Sequence, residues 1–417
     1  MFTYASSTIT KFLSEYPSSP FFISPIGSLE ELTMKMNQYL QKQILKKETL
    51  PRKSVRIKKV ERINETKTLP EDVFFPRRVK TFIEKHFHSD SFDEYETDEL
   101  SLEVSLYKER SHSPEIFRNL SFHLSTIIGL IVNVLVTNEQ NHYSTCQRIT
   151  LFLIPTLLHK VIPTNHLKVW DSESINNAFS KHGKCDSIFI YRLEEILKVS
   201  IHECIHVLYL DDLRNERSIR VGRMEMKIGK KKIDLNNPYE ATLFFEKKFA
   251  FTAHFFPVLF TEAYVEAWAT ILNSVHASCI TKHSVTDLLI LEQKFMCFQV
   301  AKILYASGFS SWSSFMEKKD HARDSPNITQ TTSLFSYFIL RCALLWDLRW
   351  FFSVFTNIQF SKNNIDVASC YKYCLQIFES DTFTEIIDFY IRRVSVIPKD
   401  LFIFKTMRMT CIELNLC

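Results

Sequence analysis

Two histidines one helical turn apart, His202 and His206, are the residues of this chain best placed to do chemistry. Glu203 directly follows the first of them, so residues 200–210 contain the pattern His-Glu-x-x-His. On an α-helix, residues four apart project from the same face, so both imidazoles can converge on one metal ion. Glu203 then lies within reach of a water at that ion, where a carboxylate can act as general base. The pattern predicts a metal-assisted hydrolytic site.

The residues around this pattern favour a helix. Residues 191–221 contain no Gly or Pro, and the run opens with strong helix formers. At its start, Arg192, Glu194 and Glu195 predict a cap and salt-bridge cluster, because acidic residues suit that end of a helix. Cys204 projects away from the two histidines, and we interpret it as a packing residue. The alternative is a partly buried structural helix that carries two histidines and an exposed glutamate.

A catalytic metal site usually has three protein ligands, and a second helical run offers two candidates for the third. Residues 258–276 contain Glu262 and Glu266, again one turn apart. Their neighbours are largely apolar, and glutamate is seldom buried without a partner. Two glutamates on a solvated helix face are the alternative. We predict that one of the two completes the metal site, and the spacing leaves open which one.

The run Thr261-Glu262-Ala263-Tyr264-Val265-Glu266 resembles the glutamate helix of the gluzincin metallopeptidases, which belong to the zincins. On that resemblance Glu262 takes the position of the third zinc ligand. Glu266 takes that of a carboxylate that hydrogen-bonds a ligand histidine from behind. Residues 150–275 are also similar to uncharacterised predicted metallopeptidases of large DNA viruses. Those proteins share a series of spaced elements with this chain, carried here by Asn176, Asn177, Arg192, Glu194, Glu195, Lys198, Val199, His202, Tyr264, Trp268 and Ala269.

The resemblance implies a Zn2+ cofactor and a zincin-like arrangement around it. In zincins a strand near the zinc helix often forms the rim along which an extended peptide lies. We therefore expect a strand at residues 187–191 to offer an edge for substrate pairing. Gluzincins often hold the oxyanion with a downstream Tyr or His. No motif selects one here, and the candidates are Tyr305, His283, His321 and Tyr337.

Composition narrows the other possibilities. With 417 residues, 46% of them hydrophobic and 24% charged, the chain can bury a large core. A net charge of +4 is too small to indicate nucleic acid, and only six glycines argue against phosphate-cradling loops. We expect no membrane span and no signal peptide, since residues 1–13 lack an apolar core. Ten cysteines without a Cys-x-x-Cys pair suggest free thiols in an intracellular protein, in host cytoplasm or virion.

We predict a helix-rich α+β fold in three parts. Residues 1–115 form a polar region of unknown role, with a basic stretch at 42–62 and an acidic stretch at 90–103. Residues 116–276 form a zincin-like catalytic core with an active-site helix and a small mixed sheet, including strands at 148–154 and 187–191. Residues 277–417 form an α-helical lobe that closes one side of the cleft.

The predicted function is that of a zinc metallopeptidase that hydrolyses a peptide or protein substrate with a zinc-activated water and Glu203 as general base. His202, His206 and Glu262 hold the metal, and Glu266 lies behind a ligand histidine. The alternative, from another class, is a non-catalytic, zinc-stabilised interaction protein, such as a virion or host-binding factor with a degenerate site. Glu203 favours catalysis, because a purely structural zinc site needs no base beside its ligands.

Overall fold

The computed structural model describes residues 2–16, 27–49, 72, 74–96, 101–108, 123, 126–127, 148–163, 169–181, 186–208, 210–211, 225–228, 231–254, 256–317, 325–355 and 366–415. Within these residues the chain has a helix-rich α+β fold, as predicted. The side chains of the predicted basic and acidic stretches, 42–62 and 90–103, lie outside the description. Among the described residues, no helix is both long and apolar enough to cross a membrane.

The helices often begin at a polar side chain that accepts a backbone N–H, as Asn237, Ser284 and Ser380 do. A π-helix, Phe335–Leu340, runs directly into one of the α-helices. In chain order the α-helices are α1 (Tyr4–Ser14), α2 (Gly27–Thr49), α3 (Arg77–His86), α4 (Ser172–Ile175), α5 (Ile196–Val207), α6 (Pro238–Lys248), α7 (Phe260–Thr281), α8 (Val285–Ala306), α9 (Trp312–Met316), α10 (Arg341–Leu344), α11 (Leu348–Phe355), α12 (Val367–Phe378), α13 (Asp381–Val396) and α14 (Phe402–Lys405).

The strands are β1 (His88–Glu96), β2 (Ser101–Lys108), β3 (Arg148–Thr156), β4 (Val169–Trp170), β5 (Ala178–Lys181), β6 (Asp186–Arg192), β7 (Glu225–Ile228), β8 (Lys231–Asp234), β9 (Phe251–Ala253) and β10 (Ile328–Gln330). They form a mixed five-stranded sheet in the order β1-β2-β3-β6-β5 and two smaller sheets, β4-β10-β9 and β7-β8. In the larger sheet β2, β3 and β6 run parallel, whereas β1 and β5 pair antiparallel with their neighbours.

The two strands predicted at residues 148–154 and 187–191 are confirmed as β3 and β6, but the predicted edge is wrong. β6 lies between β3 and β5 and pairs with both of them. Its central residues Ile188, Phe189 and Ile190 are all buried, as expected for a strand covered on both faces. Among the described residues, β5 instead forms the edge of the sheet next to the histidine pair.

The helix that carries the two histidines begins later than the sequence predicts. Tyr191 and Arg192 still belong to β6, and Glu195 adopts a left-handed conformation with φ 60° and ψ 20°. A left-handed glutamate is uncommon and persists where its surroundings hold it in place. The helix therefore starts at Ile196 and ends at Val207. Glu195 occupies the N-cap position, yet its side chain does not cap the helix.

One hydrophobic cluster extends from Ile9 to Leu414 and includes residues of all three predicted parts of the chain. It contains apolar residues of α5 and α7, which pack against one another within it. A smaller cluster lies where α3 packs near the end of β3 and contains Phe75, Val79 and Tyr191. The two helices predicted to carry the metal ligands are thus held inside the main core.

Candidate metal centre

The candidate site lies between the histidine helix, α5, and the glutamate helix, α7. Eleven of the 12 residues of α5 and 18 of the 22 residues of α7 are buried. Helices that are apolar all round belong in a protein interior rather than at its surface. The polar side chains on these two helices therefore need partners inside the protein. Some of the partners lie on the other helix, and others lie on neighbouring elements.

Three ligand atoms from these helices converge. Nε2 of His202 lies 3.0 Å from Nε2 of His206, and Oε2 of Glu262 lies 3.5 Å from the former and 3.4 Å from the latter. Ligand atoms about 2.0–2.1 Å from a tetrahedral zinc ion are separated from one another by about 3.3 Å. In the plane of the three atoms, the point at equal distance from all of them is about 1.9 Å from each, which is close to a zinc–ligand distance. The donor set fits zinc.

The carboxylate of Glu262 supports this fit. Its Oε2 atom is buried without a hydrogen bond, and the nearest imidazole nitrogens lie beyond the usual N–H···O length. A buried carboxylate oxygen needs a cation or donor to offset its lost hydration. Burial favours the neutral acid, but the nearby histidines outweigh it and hold the pKa of Glu262 well below its usual range. Within the described part of the chain, His202, His206 and Glu262 are the group able to hold a metal ion.

Glu203 is buried on the same helix, with 6% of its surface exposed. The alternative of a histidine pair beside an exposed glutamate therefore does not describe this helix. Burial raises the pKa of Glu203, although the charges of His202 and His206 oppose the rise. The hydroxyl of Ser180, on the edge strand β5, hydrogen-bonds the Glu203 carboxylate. A carboxylate with a raised pKa is better matched to proton transfer near neutral pH.

Each of the two histidines has a carboxylate on the side away from the converging atoms. Nδ1 of His206 lies 2.7 Å from Oδ2 of Asp211, and Nδ1 of His202 lies 3.6 Å from Oε1 of Glu266. A carboxylate in that place favours the tautomer whose other nitrogen is free to bind metal, and it raises the basicity of the ring. Glu266 thus lies on the side of His202 that the resemblance implies, but at 3.6 Å the expected hydrogen bond is not formed and Nδ1 of His202 has no hydrogen-bond partner. Asp211 is an additional carboxylate of the candidate site, and no sequence pattern indicates it.

Glu266 is itself held by two cations. Its Oε2 atom forms an ion pair with the Lys198 ammonium and lies 3.6 Å from Nη1 of Arg341. Burial alone would raise the pKa of Glu266, but Lys198, His202 and Arg341 together lower it to about 2. The group is therefore a carboxylate at neutral pH, with an oxygen that faces the Nδ1–H side of the His202 ring as a hydrogen-bond acceptor.

Tyr337, on the π-helix, completes the surroundings of Glu262. Its ring centroid lies 5.8 Å from that of His202, and its hydroxyl hydrogen-bonds the Glu262 carboxylate. Burial and the neighbouring carboxylates raise its pKa well above the usual value, so it keeps its proton. Of the other candidates for an oxyanion donor, His283 stacks on Phe2 and Tyr305 packs near Phe404. His321 lies outside the described residues.

A scan against models of known protein families and a search of curated proteins find no match for this chain. The candidate metal centre combines three convergent ligand atoms, a buried carboxylate beside them, and a protonated tyrosine at their edge.

Proposed function

We propose that this protein is a zinc-dependent peptidase in which His202, His206 and Glu262 hold the metal. The observation that supports this most strongly is the convergence of three ligand atoms from two helices at separations that suit tetrahedral zinc. When bound, zinc supplies a Lewis acid that activates a water molecule and polarises the substrate carbonyl. The remaining chemistry belongs to side chains of the protein.

Glu203 acts as general base and then as general acid. It accepts a proton from the attacking water and delivers it to the nitrogen of the departing amine. Burial raises the pKa of Glu203, which favours acceptance of the proton from the water. The hydroxyl of Ser180 restrains the carboxylate while it does so.

A peptide is the substrate that the neighbouring sheet favours. β5 carries Ser180 and pairs on one side with β6, whereas in the described residues no strand pairs with its other side. An unpaired strand edge offers N–H and C=O groups to an extended chain. A peptide paired with β5 would run past the carboxylate of Glu203, so the edge and the general base serve the same substrate.

The metal and the activity can be tested together. The purified protein should contain stoichiometric zinc, cleave members of a peptide library, lose the activity to a chelator and regain it when zinc is returned. Absence of bound zinc after refolding in its presence would contradict the proposal. Stoichiometric zinc without cleavage of any peptide would instead favour the non-catalytic, zinc-stabilised interaction protein.

Tyr337 is the group best placed to donate a hydrogen bond to the carbonyl oxygen as it gains negative charge, by turning its single O–H from Glu262 towards that oxygen. We expect Tyr337→Phe to lower kcat for peptide cleavage about 10²–10³-fold, because a donor to the developing oxyanion is lost. The variant should still hold zinc when zinc is in excess, since the phenol is not a ligand, although the lost hydrogen bond to Glu262 lowers the affinity. Tyr305→Phe, which removes a hydroxyl from a ring packed near Phe404, is the matched control and should retain kcat. An unchanged kcat in Tyr337→Phe would show that Tyr337 does not stabilise the oxyanion.

A further inference from the structure

Residues 406–413, here called the C-terminal segment, pass through the protein interior without forming a helix or a ladder strand. Their main-chain groups bind to buried charged side chains of other elements. Two consecutive amides, those of Met409 and Thr410, donate to Oε1 of Glu195 at 2.5 and 2.6 Å. The next two amides, those of Cys411 and Ile412, donate to Oε1 of Glu292 at 3.2 and 3.0 Å. Because two consecutive amides share each carboxylate, the backbone here is irregular rather than extended, and buried side chains hold it in place.

Glu195, the residue in the left-handed conformation, ties this segment to the start of the histidine helix. Its carboxylate also pairs with the ammonium of Lys160 at 2.6 Å, and both side chains are completely buried. Its own amide donates to Oε1 of Glu413 at 2.5 Å. These contacts hold the unusual backbone conformation and fix the first turn of α5 against the C-terminal segment.

Two cations connect the same segment to Glu266. Nη1 of Arg341 donates to the main-chain oxygen of Met409 at 2.9 Å and lies 3.6 Å from Oε2 of Glu266. Nζ of Lys198 pairs with the same carboxylate oxygen and lies 3.8 Å from Sδ of Met409. The other oxygen of Glu266 is left to face Nδ1 of His202 at 3.6 Å.

We propose that Lys198 and Arg341 are positioning residues of the metal centre, which transmit the placement of the C-terminal segment through Glu266 to the His202 ring. The proposal rests on the proposed zinc site. With both cations on Oε2, the carboxylate cannot rotate without losing an ion pair in a buried environment, where that loss is costly. The imidazole orientation is thereby set by residues that never touch the metal.

Lys302 provides a matched control, because it is another completely buried lysine that binds residues at the same end of the chain. Its Nζ donates to the main-chain oxygen of Ile403 at 3.0 Å and to that of Thr406. Neither of these partners belongs to the metal site. Replacing Lys302 with Met therefore removes a buried ammonium and its bond to Thr406, the first residue of the C-terminal segment, but leaves the contacts among Met409, Arg341 and Glu266 in place.

The test is the metal affinity of the full-length protein, measured by competition with a chromophoric chelator, together with the visible spectrum of the cobalt form. Lys198→Met should lower zinc affinity about 10–100-fold and change the cobalt absorption bands, as expected when the partner of a ligand histidine is disturbed. Arg341→Lys, which keeps the charge but loses the forked donor geometry, should give a smaller loss. Lys302→Met should lower the Tm but leave affinity and spectrum as in the wild type.

A double-mutant cycle keeps the proposal testable if Lys198→Met alone folds poorly. Glu266→Gln combined with Lys198→Met removes both charges of the pair, which leaves no lone ammonium or carboxylate from that pair in the core. If Lys198 acts through Glu266, the double variant should bind zinc no more weakly than Glu266→Gln alone. The proposal would be overturned if the losses of zinc affinity in Lys198→Met and Glu266→Gln added up in the double variant. It would also be overturned if Lys198→Met and Lys302→Met lost zinc affinity equally. A wild-type protein that binds neither metal would overturn the zinc site itself.

Discussion

Glu203→Gln is expected to lower kcat for peptide hydrolysis about 10²–10⁴-fold without reducing zinc content. The amide has the size of the acid and can still accept a hydrogen bond from Ser180, but it cannot take a proton from the attacking water. Glu203 is not one of the three convergent ligand atoms, so its replacement leaves the metal ligands intact. Steady-state cleavage of a library-derived peptide and elemental analysis of the same preparation give the two quantities.

The neighbouring Cys204 supplies the control for this experiment. Burial raises the pKa of its thiol to about 12, so it stays protonated and is a poor nucleophile. We expect Cys204→Ala to retain the wild-type kcat within a few-fold. If Glu203→Gln hydrolysed the peptide at the wild-type rate, Glu203 would have no part in proton transfer and another base would have to be sought.

Glu262→Gln is expected to lose zinc far more readily than Glu266→Gln. Oε2 of Glu262 lies 3.4 Å from Nε2 of His206, on the side where the ligand atoms converge. Glu266 faces Nδ1 of His202, the side away from that point. Loss of a charged ligand should leave the protein without stoichiometric zinc after dialysis, whereas loss of the carboxylate behind a ligand should cost about 10–100-fold in affinity.

The two Gln variants are matched in size and in the charge removed, and circular dichroism would check that both are folded. The affinities come from competition with a chromophoric chelator at a single pH. Retention of zinc by Glu262→Gln together with its loss from Glu266→Gln would exchange the roles of the two glutamates. Equal retention in both variants would mean that neither carboxylate is a ligand.

The parts of the site that share one helix could be predicted from the sequence, because helical spacing fixes which side chains share a face. His202 and His206 follow directly from this rule, and so does the pairing of Glu262 with Glu266. Their spacing does not indicate whether Glu262 or Glu266 lies nearer the point where the histidine Nε2 atoms converge. That depends on the position of α7 along α5, which only the packed structure provides.

The residues contributed by other elements could not be predicted in the same way. Asp211 follows the end of α5, Tyr337 lies on a π-helix, and Arg341 lies in the short helix after it. No periodicity relates such positions to the histidines. Lys198 could have attracted attention, since a lysine one turn before His202 in an otherwise apolar helix needs a buried carboxylate as partner.

The start of the histidine helix shows a second limit of sequence reasoning. Glu195 fits a helix start on charge grounds, and the structure does place it at the N-cap. Its carboxylate nevertheless binds Lys160 and two amides of the C-terminal segment rather than the amides of its own helix. A long-range partner of this kind competes with local capping, and residues more than 200 positions later in the chain cannot be anticipated from a local pattern.

The location of the C-terminal segment also has a consequence for how the protein is made. The histidines and glutamates leave the ribosome long before residues 406–413 are translated, and until then Glu195 and Arg341 lack the main-chain groups they bind in the finished fold. A growing polypeptide therefore lacks these supporting contacts around the proposed metal centre. We expect the proposed activity to appear only after the nascent chain extends past this segment.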